Sequence, residues 1–330
     1  MDTQQNFDLV AIGDTVIDAF IRVSVGHVQE TAHGAELCIP YGAKVPYDSV
    51  VVLPAVGNSA NAAVSASRLG LNAALLTYLG NDKHGKECLE KLEVEKVATK
   101  FIQLEDGKRT NYHYVLWYGD DRTILIKHEE FTPVLPDLGT PKWVYLSSLG
   151  KHTLPMHHEL IKYLESHPEV KLAFQPGTFQ LGFKQEIADL YKKTEVVCMN
   201  KEEAQGLLNT EEHDLKKLMD MLSDWGPKII IITDGHNGSY MKHEGTYFNM
   251  PIYPDEKPPY ERTGAGDAFF STFVSFLARG FDAPYAIVRA PINSMNVVQH
   301  VGAQEGLLTE EKLEEYLSKA PADYILKTLD

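Results

Sequence analysis

What most constrains the fold of this chain is a rhythm of short apolar runs separated by helix-length stretches. The run Phe7-Asp8-Leu9-Val10-Ala11-Ile12-Gly13 is apolar at successive positions from Leu9 to Ile12 and closed by glycine, the pattern of a strand buried on both faces of a parallel sheet. Residues 58–69 open at Asn58, are rich in small side chains and stop before Gly70, which predicts a closely packed helix. A strand is expected over 73–79, then a turn at Gly80-Asn81-Asp82 and a helix over 83–93. Further strands are expected at 143–146, 172–174, 196–199 and 229–233, with helices over 156–167, 184–193, 201–208 and 212–224. From Gly264 onward the pattern is helical, over 264–279, 282–300 and 309–319. Such alternation predicts βαβ units, hence an α/β fold whose mostly parallel sheet binds ligands at the carboxyl ends of its strands.

Two stretches break the rhythm. Residues from about 19 to 55 and from about 99 to 128 carry few helix formers and alternate apolar with polar side chains, as in Tyr112-His113-Tyr114-Val115-Leu116-Trp117-Tyr118. They predict antiparallel hairpins forming a small β-lid over a ligand, with the aromatics of 112–118 as lid packing. No linker, repeat or low-complexity segment divides the chain, so residues 1–330 are expected to be one main domain. An exposed β-layer with apolar alternation tends to be covered, so a lid-mediated homodimer is expected as well.

Composition narrows the function. Acidic residues outnumber basic ones by 46 to 31, for a formal charge of -15, which opposes loose binding to nucleic acid or an anionic membrane. Cys38, Cys88 and Cys198 lie far apart with no C-x-x-C pair, which points to a reducing compartment rather than a disulfide framework or cysteine zinc site. The first twenty residues hold Asp2, Asp8, Asp14 and Asp18 and no lysine or arginine, the wrong charge for a targeting peptide. A cytoplasmic protein is expected. The histidines, among them His152, His157 and His158, form no H-E-x-x-H arrangement and receive no catalytic role.

The most informative stretch is Arg262-Thr263-Gly264-Ala265-Gly266-Asp267-Ala268-Phe269-Phe270, which merges into a long helix. Two glycines separated by alanine leave backbone N–H groups uncovered at the positive end of the helix dipole, where a phosphate binds well. Asp267 stands in the first helical turn, placed to accept a proton from an alcohol that attacks that phosphate. The plain alternative is a glycine turn with an acid at a helix start. Neither a third fingerprint glycine nor a G-x-x-x-x-G-K-[ST] loop is present, so a nucleotide site here is of neither the Rossmann nor the P-loop kind.

Thr263-Gly264-Ala265-Gly266-Asp267 resembles the second signature of the ribokinase-like (PfkB) carbohydrate kinases, and the likeness runs nearly end to end. The resemblance implies a three-layer αβα sandwich with a β-lid, ATP and Mg2+ as cofactors, and an anion hole at Gly264, Ala265 and Gly266 with Asp267 as catalytic base. Gly57-Asn58-Ser59-Ala60-Asn61 is similar to the family's first signature, so Gly57, Asn58 and Asn61 inherit contacts to substrate hydroxyls. Asp18 closes a turn like the one whose final aspartate binds sugar hydroxyls. Asn200-Lys201-Glu202-Glu203 resembles the N-x-x-E that holds magnesium largely through water, although Asn200 and Glu203 also read as a helix capping box. Thr233, Gly235 and Gly238 resemble the strand-end segment that receives ATP; the two glycines also read as hairpin turn residues. Gly302-Ala303 and Gly306 resemble the closing segment beside adenine and a monovalent cation such as K+.

The match departs from the family in three places. Glu261-Arg262 stand where Asp-Thr is usual, which bears on the cation site, while Val56 replaces the first of two paired glycines and Gln175 takes a place where many members have an acid. The expected activity is ATP-dependent phosphorylation of a hydroxymethyl group on a sugar, with a nucleoside as the alternative acceptor. A non-catalytic sugar- or nucleotide-binding protein on the same fold is the reading from a different class.

Overall fold

The computed structural model describes residues 6–329 apart from His33, Asp120 and Glu261. Its main sheet has nine strands in the spatial order Lys327–Leu329, Thr246–Met250, Ser239–His243, Ile229–Thr233, Thr194–Asn200, Lys171–Phe174, Trp143–Leu146, Leu9–Ile12 and Ala73–Leu76. The six from Ile229–Thr233 to Ala73–Leu76 run parallel, and three antiparallel strands extend one edge.

Strand periodicity separates the core into two layers. Leu9, Ala11, Tyr145, Ile229 and Ile231 face one side, where they pack with the helices Asn58–Arg68, Ala265–Ala278 and Ala283–Val297. Val10, Ile12, Leu146, Phe174, Ile230 and Ile232 face the other, against Leu154–Ser166, Ala188–Lys193, Lys201–Leu208 and Leu215–Ser223. The architecture is thus an αβα sandwich. Because both faces are covered, the central strands read as unbroken apolar runs. The expected helix over 184–193 begins only at Ala188 and runs to Lys193, and a further short helix that was not expected, Thr178–Gly182, precedes it. The expected strand at 73–79 is likewise divided, into Ala73–Leu76 and Tyr78–Gly80.

A second sheet of four strands stands off the first, in the order Asp121–Leu125, Asn111–Tyr118, Val16–Arg22, Ser49–Val56. It differs from a set of hairpins, because its two central strands, Val16–Arg22 and Asn111–Tyr118, pair in parallel. Only the outer pairings are antiparallel. A separate hairpin joins His27–Thr31 to Gly34–Cys38, and Gln103–Glu105 pairs with Tyr78–Gly80 rather than with the second sheet. The first parallel strand ends at Ile12 and the second sheet begins at Val16, so Gly13, Asp14 and Thr15 join the two.

Among the described residues, no helix is long and apolar enough to cross a membrane.

Candidate active site

The candidate residues gather where the parallel strands end. Asp14 follows Leu9–Ile12, Gln175 follows Lys171–Phe174, Asn200 closes Thr194–Asn200 and Thr233 closes Ile229–Thr233. Carboxyl ends of parallel strands are where an open α/β sheet leaves a crevice. From the helical layer, Asp267 enters the same region in the first turn of Ala265–Ala278.

Asp267 is 8% exposed, and its two oxygens are held separately. Asn61 donates from Nδ2 to Oδ2 at 2.9 Å, and Gln175 donates from Nε2 to Oδ1 at 3.2 Å. Each amide is itself fixed. The Tyr145 hydroxyl donates to Gln175 Oε1 at 2.5 Å, and Gln304 donates from Nε2 to Asn61 Oδ1 at 3.0 Å and to the Ala55 carbonyl at 2.6 Å. Burial pushes the Asp267 carboxyl up to about 6, against the lowering effect of Asn61, Gln175 and Asn58, while nearby Glu203 adds to the rise. A carboxylate with that value is ionised near neutrality and still basic enough to take a proton.

Backbone geometry requires glycine at two points. Gly264 caps the Asp267 helix at φ 80°, and a Cβ there would lie 2.2 Å from Ala303 Cβ. Gly57 caps Asn58–Arg68 at φ 120°, and a Cβ there would lie 2.5 Å from the Asp14 carbonyl oxygen. Both positions exclude a side chain by conformation as well as by space. They draw the closing segment and the Asp14 turn onto the two helix starts that carry Asp267, Asn58 and Asn61.

Beside the Gly264 turn is a cavity of about 290 Å³. Thr233, Gly235, Gly238, Ala265 and Gly266 line it together with Ile252, Phe269, Pro291, Met295 and Val298. Gly235 and Gly238 do form the turn between Ile229–Thr233 and Ser239–His243, so the turn and the cavity wall are one feature. Arg262 and Asp255 supply charge at the wall and His236 an imidazole, with Arg262 Nη2 3.4 Å from His236 Nε2. An apolar slot that leads to exposed N–H groups at a helix start suits a nucleotide, base in the slot and phosphates at the turn. Thr263 precedes this turn and is half-buried.

Asn200 and Glu203 form a reciprocal capping box. Asn200 Oδ1 accepts from the Glu203 N–H at 2.7 Å, and Glu203 Oε2 accepts from the Asn200 N–H at 2.9 Å. Burial raises the Glu203 carboxyl above its ordinary value. A desolvated carboxylate with one oxygen engaged in the box fits a magnesium ion's hydration shell, since that ion takes oxygen ligands and keeps much of its water. Among the described residues no three histidine, cysteine or acidic side chains are grouped so that they could hold a metal ion directly.

Asp18 lies in the second sheet, opposite His113 across the parallel pair, with its Oδ1 3.5 Å from His113 Nδ1. Gly302 also meets that sheet: a Cβ on it would lie 2.1 Å from Leu53 Cδ1. Glu261 lies outside the described residues. Sequence reasoning passed over Gln304, Tyr145, Asp14, His113 and His128. A second aspartate at the strand end was the one local signal among them, and nothing local marks the others.

The layered sheet, the second sheet beside its strand ends and the helix-start glycine turn define a ribokinase-like α/β protein. The fold superposes with a TM-score of 0.78 on Arabidopsis thaliana ribokinase complexed with ribose and ATP, at 18% identity over 95% of this chain and 99% of that one. The pfkB family carbohydrate kinase model matches residues 7–310, and the chain belongs to that family. Relatives include the ribokinase of Bacillus subtilis, 27% identical over 271 residues covering 79% of this chain and 87% of that protein. The cytidine kinase of Thermococcus kodakarensis is 26% identical over 280 residues, covering 83% of this chain and 89% of that one. Family membership therefore spans carbohydrate and nucleoside kinases.

Proposed function

We propose that this protein transfers the γ-phosphoryl group of ATP to a hydroxymethyl group of a sugar, with Asp267 as general base. The observation that carries this reading is the Asp267 carboxylate, buried, held through both oxygens and standing one residue beyond a glycine turn that opens onto a nucleotide-sized cavity. Asp267 takes the proton of the attacking hydroxyl, and the N–H groups at Gly264, Ala265 and Gly266 meet the charge that develops on the transferring group. Thr233, Gly235 and Gly238 accommodate the nucleotide with Thr263 at the phosphate end, while Gly302 helps seat the second sheet against the site.

Asp18, Gly57 and Asn58 orient the acceptor. Asn61 fits a double role, since its amide already holds Asp267. Magnesium, when bound, supplies neutralisation of phosphate charge. Glu203 would hold it through water, with Asn200 fixing the Glu203 rotamer through the capping box. The second sheet acts as the lid that keeps water from the phosphoryl group, which limits ATP hydrolysis.

The cytidine kinase relative keeps a nucleoside acceptor as the second reading. The test is ATP consumption with magnesium, in Na+ and in K+, against pentoses, hexoses, sugar phosphates and nucleosides. One strong sugar acceptor is the expected result. A nucleoside as the best acceptor moves the protein to the second reading, and ATP binding without turnover on any acceptor contradicts the kinase assignment.

A further inference from the structure

The junction between the two sheets concentrates buried polar atoms around Asp18 that no group of the chain engages in a hydrogen bond. Asp14 stands at the end of the first parallel strand with its Oδ2 3.6 Å from His128 Nδ1. Four residues on, Asp18 Oδ1 lies 3.5 Å from His113 Nδ1. These are ion-pair distances without hydrogen-bond geometry. Asp14 Oδ2, Asp18 Oδ1, His113 Nε2 and His128 Nδ1 are all buried and have no hydrogen-bond partner within the chain.

Two carboxylates and two imidazoles, delivered by the Asp14 turn, the Val16–Arg22 strand, the Asn111–Tyr118 strand and residue 128, meet in one place. The two imidazole rings contact edge to face with centroids 5.6 Å apart, and the Phe179 ring closes against His128 at 5.6 Å. Buried polar atoms are rarely left unpaired, and four together need groups that both donate and accept. Burial pushes the Asp14 carboxyl up to about 7, against the lowering effect of the Gly150 backbone N–H and of His113.

This cluster adjoins the reacting centre. Gly57, whose missing side chain admits the Asp14 carbonyl, opens the helix whose Asn61 holds Asp267. Phe179 lies four residues beyond Gln175, which holds the other Asp267 oxygen. A hydroxyl donates to carboxylate oxygen and accepts from imidazole N–H, so each Asp/His pair matches one hydroxyl-bearing position of an acceptor. A phosphate or carboxylate on the acceptor would instead face two acidic side chains, and a nucleobase would meet charge where it needs an apolar slot.

We infer that Asp14, His113 and His128 join Asp18 as acceptor-specificity residues, and that they select a neutral, polyhydroxylated acceptor over sugar phosphates, sugar acids and nucleosides. This inference rests on the kinase reading for its readout and concerns the same site. The test compares the unaltered protein with Asp14→Asn and His128→Phe, the second of which keeps the ring packing against Phe179. The probes are ribose, fructose, sorbitol, fructose 6-phosphate, gluconate and cytidine.

The expected result is a neutral sugar or polyol as preferred acceptor and a rise of about tenfold or more in its KM in each variant, the scale of one lost hydrogen bond to a charged group. The KM for ATP stays unchanged. A preferred acceptor that is phosphorylated, acidic or a nucleoside overturns the inference, as does an acceptor KM unmoved in both variants. Failure of the kinase reading shows differently, as no turnover by the unaltered protein on any probe. Calorimetric titration with the neutral probes then decides: binding weakened by both substitutions upholds the subsite, and no heat with any of them overturns it.

Discussion

Replacing Gln175 by leucine tests how the site sets the basicity of Asp267. The substitution roughly keeps side-chain volume but removes the Nε2–H that reaches Asp267 Oδ1 at 3.2 Å. A hydrogen bond to a charged group contributes about 1.5–3 kcal/mol, and a pKa unit corresponds to about 1.4 kcal/mol. The Asp267 carboxyl, already raised to about 6 by burial, should therefore climb by about one to two further units. The ionised fraction at pH 7 falls from about 90% to somewhere between about 50% and 10%. Because only the carboxylate accepts a proton, kcat/KM at pH 7 should drop by about two- to tenfold and return toward the unaltered value by about pH 9. The Tyr145 hydroxyl loses its acceptor in this variant, which costs about 1–3 kcal/mol of stability and is read separately by thermal melting. Gln175→Glu keeps an acceptor for Tyr145 and places a like charge beside Asp267, so its acid limb should move further in the same direction. The assay is kcat/KM against pH from 5 to 9. An acid limb for Gln175→Leu that superimposes on that of the unaltered protein refutes the reasoning, whatever the absolute rate.

Other expectations follow from single contacts. Gly264→Ala should lower both melting temperature and kcat, because its Cβ would sit 2.2 Å from Ala303 Cβ at a positive φ. Adding Ala303→Gly should recover only part of the loss, since Ala303 Cα would still lie 2.6 Å away. Asp14→Asn should raise the melting temperature above pH 7. The folded-state value of Asp14 is raised from 3.8 to about 7, so its ionised form costs the folded state stability as pH climbs through that window, and the gain should vanish as pH falls toward 4. Val50, Val51 and Val52 are exposed on the edge strand Ser49–Val56 of the second sheet. If that edge pairs with a second copy, Val51→Lys should shift a dimer to monomer in sedimentation, and an unchanged oligomeric state would remove this edge from any interface.

The main sheet was legible because its strands are buried on both faces and bounded by turn residues, so Leu9–Ile12 and Ile229–Thr233 announce themselves locally. The second sheet was legible only as β structure. Its central pairing joins Val16 to Asn111 in parallel, and no local alternation distinguishes that from two hairpins. Asp267 and the glycine turn could be read for the same reason as the strands: phosphate binding at a helix start is written in consecutive residues. The groups that hold Asp267 are not consecutive. Gln175 reaches it across 92 residues, Asn61 across 206, and Gln304 reaches Asn61 across 243. Gln175 looked like the loss of an acid, whereas in the folded chain it is a donor to one.

The histidines show the opposite lesson. With no metal motif among them, scattered histidines read as surface. Yet His113 and His128 arrive beside Asp18 and Asp14 only after the second sheet folds over the strand ends. Asn200 and Glu203 were readable as a cap, and a cap they form.

The most direct test of the account is Asp267→Asn, measured for turnover with the best acceptor and for ATP affinity by calorimetry. The account predicts a fall in kcat of several orders of magnitude with ATP binding nearly intact, because the substitution removes the proton acceptor and leaves the Gly264 turn and its cavity in place. Turnover equal to that of the unaltered protein would contradict it.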